Sequence, residues 1–329
     1  MDAATLQMLR SSLTHVLTED GDTPLSERLG ALGWDDVLDD DAPAALQALF
    51  ETRGTTLSGA DALGPVLARA IADSTQHPDL RHAAVVLPSA LHPDRLSSRV
   101  DGDHLIVEGI TTMTPVGRTS IVPVGAGPVD VVLALVPPAA AWSHHAIEGT
   151  DPSMGLVRVA ATFPASECEW VYGDAAGAAW TACAAGARWA LSAELVSIGH
   201  HVVGRAVEYT GQRKQYGRPI GSFQALQHRL AGAHASVVGA SHVVTEAATS
   251  GSAWVALVAK ALAGRAAENA CTQAQQSYGA IGFTWEHEFH RYLRRTYVLD
   301  WLFGGWRTLE REIGARLIEE RALSRIGEL

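Results

Sequence analysis

The chain has 329 residues, 47% of them apolar, and a formal charge of -11 at pH 7. That length suffices for one or two substantial cores, and the acidic balance excludes nucleic acid as a main partner. Its three cysteines, Cys168, Cys183 and Cys271, have neither paired spacing nor a Cys-x-x-Cys arrangement; no disulfide framework follows, and they read as small buried hydrophobes.

Met1-Asp2-Ala3-Ala4-Thr5 is not a basic region followed by an apolar run, and no apolar segment approaches a membrane span, so a cytoplasmic protein without a membrane partner is expected. Residues 1–80 read as a small helical region. Leu6, Leu9, Leu13 and Val16 recur at helical spacing, Ser26 is a candidate cap, and another helical run follows Asp41-Ala42-Pro43. Residues 81–173 change to short β-rich runs at 83–87, 105–107, 131–136 and 156–160, punctuated by Gly, Pro and Asp, which predicts a small antiparallel barrel or sandwich.

Residues 174–329 read as a helical bundle. From Gly173 to Gln212 there is no proline, and Trp180, Ala184, Ala187, Leu191, Leu195 and Ile198 recur every three or four residues, as one long helix requires. Further helices are expected at 223–249, 252–276, 286–303 and 306–326, with many Ala and Gly residues for close packing. The last has Leu309, Ile313, Leu317 and Leu323 on one side, suited to its own bundle or to a partner. The fold class is α+β.

Between two of these helices stands Arg213-Lys214-Gln215-Tyr216-Gly217-Arg218-Pro219-Ile220-Gly221-Ser222-Phe223-Gln224. A guanidinium offers forked donors to a diphosphate, an aromatic ring gives a flat surface, and Gly with Pro turns the chain sharply. Downstream lies Gln276-Ser277-Tyr278-Gly279-Ala280-Ile281-Gly282-Phe283-Thr284-Trp285-Glu286, whose small residues permit close backbone approach to a ligand. The two stretches, in this order, resemble signatures of the acyl-CoA dehydrogenase family; Arg188 resembles a third, near the substrate end of the long helix. The likeness is strong over residues 188–295. It implies a shortened N-terminal helical domain, a middle β-domain and a C-terminal bundle. It also implies FAD bound through Arg213, Tyr216, Gln224, Gln276 and Gly279, mainly for a neighbouring subunit, and an acyl-CoA substrate near Arg188.

The implied reaction is α,β-dehydrogenation of a thioester, in which a carboxylate takes the α-proton while hydride leaves Cβ for the flavin. Here the sequence departs from the family. Phe303 stands where the usual Glu is expected, and Ala187 stands at the alternative position on the long helix. Glu194, the nearest acid there, is seven residues and about 10 Å further on. The family's flavin-facing loop and Trp-containing strand are replaced by Val86-Leu87-Pro88-Ser89-Ala90-Leu91-His92-Pro93 and Gly109-Ile110-Thr111-Thr112-Met113, although the hairpin from Asp101 to Gly109 is retained.

Residues for a neighbour's flavin are thus kept while those for the chain's own flavin and base are lost. This resembles the short subunit of actinobacterial heteromeric (α2β2) steroid side-chain acyl-CoA dehydrogenases. The resemblance implies a larger homologous subunit as partner and an electron-transfer flavoprotein as acceptor. Two alternatives remain at this level: a self-sufficient homomeric enzyme with Glu194 or Glu286 as a displaced base, and a non-catalytic scaffold subunit.

Other constellations read as structural. His287-Glu288-Phe289-His290 has its histidines three apart rather than the four of a zinc-protease motif, so no metal is expected. Glu286 is expected to bond at the start of a helix with Arg291 and Arg294. His144-His145 and His200-His201 are expected at a surface or interface. Nucleophile-elbow, Walker and dinucleotide-glycine fingerprints are missing.

Overall fold

A computed structural model describes residues 1–19, 23–88, 96, 98–125 and 131–320. In chain order the helices are α1 (Ala3–Thr18), α2 (Leu25–Gly30), α3 (Trp34–Thr56), α4 (Leu63–Thr75), α5 (Gly173–Gln212), α6 (Gln224–Ser250), α7 (Ala253–Tyr278), α8 (Phe289–Trp301) and α9 (Trp306–Glu320). The strands are β1 (Ala84–Val85), β2 (Arg99–Asp101), β3 (His104–Thr111), β4 (Ser120–Val124), β5 (Val132–Val136), β6 (Ser143–Ala146), β7 (Val157–Pro164), β8 (Glu169–Val171), β9 (Lys214–Gln215) and β10 (Arg218–Pro219). By internal contacts the chain divides into two compact units: Met1–Ser58 with Arg188–Asp300 and Gly305–Leu329, and Gly59–Ala187 with Trp301–Gly304.

In the first, helical unit, α1 packs on α3 through Leu13 and Val16, the buried members of its apolar series. Asp41 breaks the helical path of α3 two residues before Pro43, and its carboxylate accepts the Ala44 N–H at 3.2 Å, capping the second half of the helix. Ser26 lies inside α2 and does not cap it; Pro24 precedes that helix and offers no side-chain acceptor. The helices α6 and α7 are antiparallel neighbours joined by Gly251-Ser252. Gly251 takes the left-handed conformation that ends α6, and the Ser252 hydroxyl accepts the Val255 N–H at 3.4 Å to start α7. Buried Ala233 and Ala240 on α6 and Ala259, Ala263, Ala266 and Ala270 on α7 let the two helices approach closely. On α9, Leu309 and Ile313 pack against Leu257 and Ala261 of α7, so this part of its apolar side serves its own bundle; Leu323 lies outside the described residues.

In the second unit, sheets β1-β4-β5-β8 and β2-β3-β7-β6 enclose one core that includes Val86, Leu105, Val107, Val122, Val136 and Phe163. The arrangement is a sandwich that departs from the antiparallel expectation where β1 pairs with β4 in parallel and where Ser98 bridges Val124 in parallel. Residues of α5 up to Ala187 belong to this unit and those from Arg188 to the helical one. No described helix is long and apolar enough to cross a membrane.

Candidate functional site

The C-terminus of α5 runs directly into a tight hairpin. The Arg213 N–H still bonds back to the Tyr209 carbonyl at 2.8 Å, and the Arg213 carbonyl accepts the Ile220 N–H at 2.8 Å, closing β9 on β10. The two-residue turn is Tyr216-Gly217, both with positive φ (52° and 79°). That is the signature of the mirror-image turn suited to hairpin twist, which favours Asn or Gly in its first position. A tyrosine there is unfavourable by about 1 kcal/mol or more. Its ring is 92% exposed. Phe223 follows, contacted edge-on by Tyr216 at 6.3 Å and covered by the Arg218 guanidinium at 4.2 Å, and Gln224 opens α6.

The end of α7 forms the second half. Gly279 has φ 65°, and a Cβ there would meet nothing within 4 Å, so the backbone is open to a ligand. A 3-10 turn, Gly279–Phe283, follows, and the Gln275 side chain donates to the Gly282 carbonyl at 3.5 Å. Because α6 and α7 run antiparallel with almost equal lengths, the start of one lies at the same end as the finish of the other. The Tyr209–Tyr278 ring contact at 5.2 Å brings the end of α5 there too. Arg213, Tyr216, Gln224, Gln276 and Gly279 are therefore assembled at one end of α5, α6 and α7. Among the described residues, the Arg213 guanidinium and the Gln224 and Gln276 carboxamides have no hydrogen-bond partner, and all three side chains are exposed.

Arg188 is not part of this group. It lies 25 residues back along α5, about 38 Å at the helical rise, where it faces Glu312 at 4.0 Å.

The acids considered as displaced bases behave differently from one another. Glu194 is fully buried; Arg295 donates to one carboxylate oxygen at 2.9 Å and Arg53 to the other. With both oxygens held by guanidiniums and no exposure, Glu194 is a structural anion and not a base. Glu286 is exposed and does not bond at the start of α8. That place is taken by His287, whose Nδ1 accepts the Phe289 N–H at 3.1 Å, while Arg294 lies over Trp285. His200 is exposed, and the half-buried His201 stacks on Tyr292 at 4.6 Å, burial lowering its pKa. In the sandwich unit Ala187 is buried and Phe303 packs against Trp180 at 6.3 Å, so neither position offers a proton acceptor. Thr112, on the segment that replaces the family's Trp-containing strand, donates to Asp61 at 3.0 Å, and Thr111 donates to the Met113 carbonyl at 2.5 Å.

Sequence reading did not single out Lys260. Its ammonium is wholly buried, donates to the Asp300 carbonyl at 2.8 Å and lies 3.8 Å from the Asp300 carboxylate. Burial pushes its pKa down to about 8 and raises that of Asp300. The one signal available was Gly264, one turn on in α7: a Cβ there would stand 2.1 Å from Asp300 Oδ1. A cavity of about 720 Å³ along α6 and α7, lined in part by Ser236, Asn269 and Trp306, includes none of the predicted residues.

Residues 178–318, which contain both halves of the site, match the acyl-CoA dehydrogenase C-terminal domain. Over that stretch the chain is similar to the acyl-CoA dehydrogenase family. Similar curated proteins are acyl-CoA dehydrogenase IpdE2 of Mycobacterium tuberculosis, 37% identical over 32% of this chain and 34% of the relative, and that of Mycolicibacterium smegmatis, 32% identical over 50% and 51%. The chain thus spans about a third to a half of the length of these relatives. The acyl-CoA dehydrogenase fold extends over nearly all of it. A variant of the Tcur3481–Tcur3483 steroid ACAD superposes with a TM-score of 0.76 at 22% identity, covering 97% of this chain and 99% of the other. The ChsE4–ChsE5 complex from Mycobacterium tuberculosis gives 0.73 at 19% identity, covering 97% and 98%.

Proposed function

We propose that this chain is a subunit of a heteromeric FAD-dependent acyl-CoA dehydrogenase, supplying flavin-binding residues to a site whose base comes from a larger homologous subunit. The observation that carries this reading is a division of labour. Among the described residues, exposed donors without hydrogen-bond partners gather at one end of α5, α6 and α7, while Ala187 and Phe303 leave both family base positions apolar.

The residues fit a flavin dinucleotide. Arg213 would meet the diphosphate as a charge-assisted donor, and the Gln224 and Gln276 carboxamides would hydrogen-bond it. Tyr216 would present its exposed ring as a flat face. Gly279, with open space where a Cβ would stand, would let the backbone approach the adenine end. When bound, FAD supplies the hydride acceptor. The distance of Arg188 from this group fits a chain that serves a neighbour's flavin at one end of α5 and an acyl-CoA at the other.

Engagement of Thr111 and Thr112 within the chain favours loss of its own flavin-ring contacts. The substrate class we propose is CoA esters of steroid side chains, supported by the likeness to a structure described as a steroid ACAD. An electron-transfer flavoprotein is the proposed acceptor.

Flavin-to-protein stoichiometry, measured by absorbance on the chain alone and co-expressed with a longer homologue encoded beside it, tests the reading. Flavin only in the mixed complex, at one per pair, is expected. A full complement in the isolated chain, with turnover, would reject it.

A further inference from the structure

The geometry points to Arg218 as a second guanidinium for the dinucleotide's diphosphate, acting beside Arg213 on one face of the β9–β10 hairpin. The inference rests on the flavin-binding reading above. Arg218 pairs with Gln215 and Pro219 with Lys214, and Ile220 bonds to Arg213. Side chains alternate along a strand and paired residues share a face. Gln215 and Arg218 therefore lie on one face and Lys214 and Pro219 on the other, and continuing the alternation one step before β9 puts Arg213, whose carbonyl accepts the Ile220 N–H, on the face of Arg218. Arg213 and Arg218 are diagonal neighbours, with backbone positions about 7–8 Å apart, within reach of two long side chains.

Like charges on neighbouring positions of one face repel, and among the described residues neither is bonded to a carboxylate although the chain carries 36 acids. The local structure nevertheless holds them in place. The turn between them puts Tyr216 in a backbone conformation that tyrosine disfavours, and the Phe223 ring supports the Arg218 guanidinium at 4.2 Å. A diphosphate presents anionic oxygens on two adjacent phosphorus centres, so each guanidinium can take one phosphate. A monophosphate can engage only one of them fully. FAD and coenzyme A both contain a diphosphate, and the proposal commits to FAD because Gln224 and Gly279 share this end of the helices.

The test is titration of the deflavinated complex of the full-length chain and its larger subunit with FAD, FMN and coenzyme A, flavins by fluorescence and coenzyme A by calorimetry. Loss of one charge-assisted contact predicts that Arg218→Gln weakens FAD by roughly tenfold or more, with FMN unchanged. Arg218→Lys should recover only part of the loss, and Phe223→Leu should weaken FAD less than Arg218→Gln. Unchanged FAD affinity in Arg218→Gln, while Arg213→Gln loses it, overturns the role of Arg218 and leaves the flavin reading intact. Equal weakening of FAD and FMN, or weakening of coenzyme A alone, also overturns it. A wild-type complex that binds no FAD rejects the flavin reading itself.

Discussion

Arg295 donates to the Glu194 carboxylate at 2.9 Å where neither side chain reaches solvent, and the same guanidinium reaches the Leu57 and Ser58 carbonyls at the end of α3. Arg53 of α3 binds the other Glu194 oxygen. One buried anion thus joins α3, α5 and α8. Removing it strands two buried guanidiniums, so Glu194→Ala should lower stability by about 3–5 kcal/mol, read from urea denaturation. A change smaller than about 1 kcal/mol, the scale of an exposed pair, would contradict this account.

Lys260 gives a pH dependence with a definite sign. Its folded pKa of about 8 lies below the ordinary lysine value, so between about pH 8 and 10 the unfolded chain binds the proton and the folded chain does not. Stability from this group therefore rises with pH across that window, by up to about 3 kcal/mol. Asp300, raised by burial, acts at acidic pH in the opposite sense. Urea midpoints from pH 7.5 to 10 should show a rise specific to Lys260; an identical slope in Lys260→Met would refute the assignment.

Gly264 and Gly239 make a controlled pair. Alanine is normally preferred to glycine in a helix by about 1 kcal/mol, and at Gly239 of α6 a Cβ would meet nothing within 4 Å. At Gly264 it would collide with Asp300. Gly239→Ala should stabilise, while Gly264→Ala should destabilise by about 1–3 kcal/mol through overpacking. Thermal melts of the two variants moving in the same direction would contradict the packing argument.

Tyr216 sets local stability against ligand contact. Tyr216→Asn places a residue suited to positive φ in the turn and should stabilise the hairpin by a few tenths to about 1 kcal/mol. It also removes the exposed ring, so the flavin content of the purified complex should fall. Retention of full flavin content would assign the ring no part in binding.

Much of this was legible from local signals. Helix α5 occupies the expected residues, and α6 and α7 agree with expectation to within two residues, because apolar periodicity, the Gly251-Ser252 stop and start, and Gly279 act over a few residues. The strands were harder to read. Every residue of β4 is buried, including Pro123, and β6 is wholly exposed, so neither shows the alternation that reveals a half-buried strand. The start of α8 was missed because its helix-start bond comes from a histidine, His287, in place of the acid expected there.

The order of residues alone set which side chains are available: donors at Arg213, Gln224 and Gln276, and no acid at positions 187 and 303. Those are properties of single positions and of motifs a dozen residues long. Tertiary structure decided what those side chains are free to do. Glu194 is lost to catalysis because Arg53 and Arg295, 141 and 101 residues distant in sequence, enclose it. Arg213 and Gln276 share one end of the helical unit because α6 and α7 are antiparallel and nearly equal in length and the Tyr209–Tyr278 contact brings the end of α5 there. Burial and pairing depend on which distant segments meet, and no short-range pattern in the chain encodes that meeting.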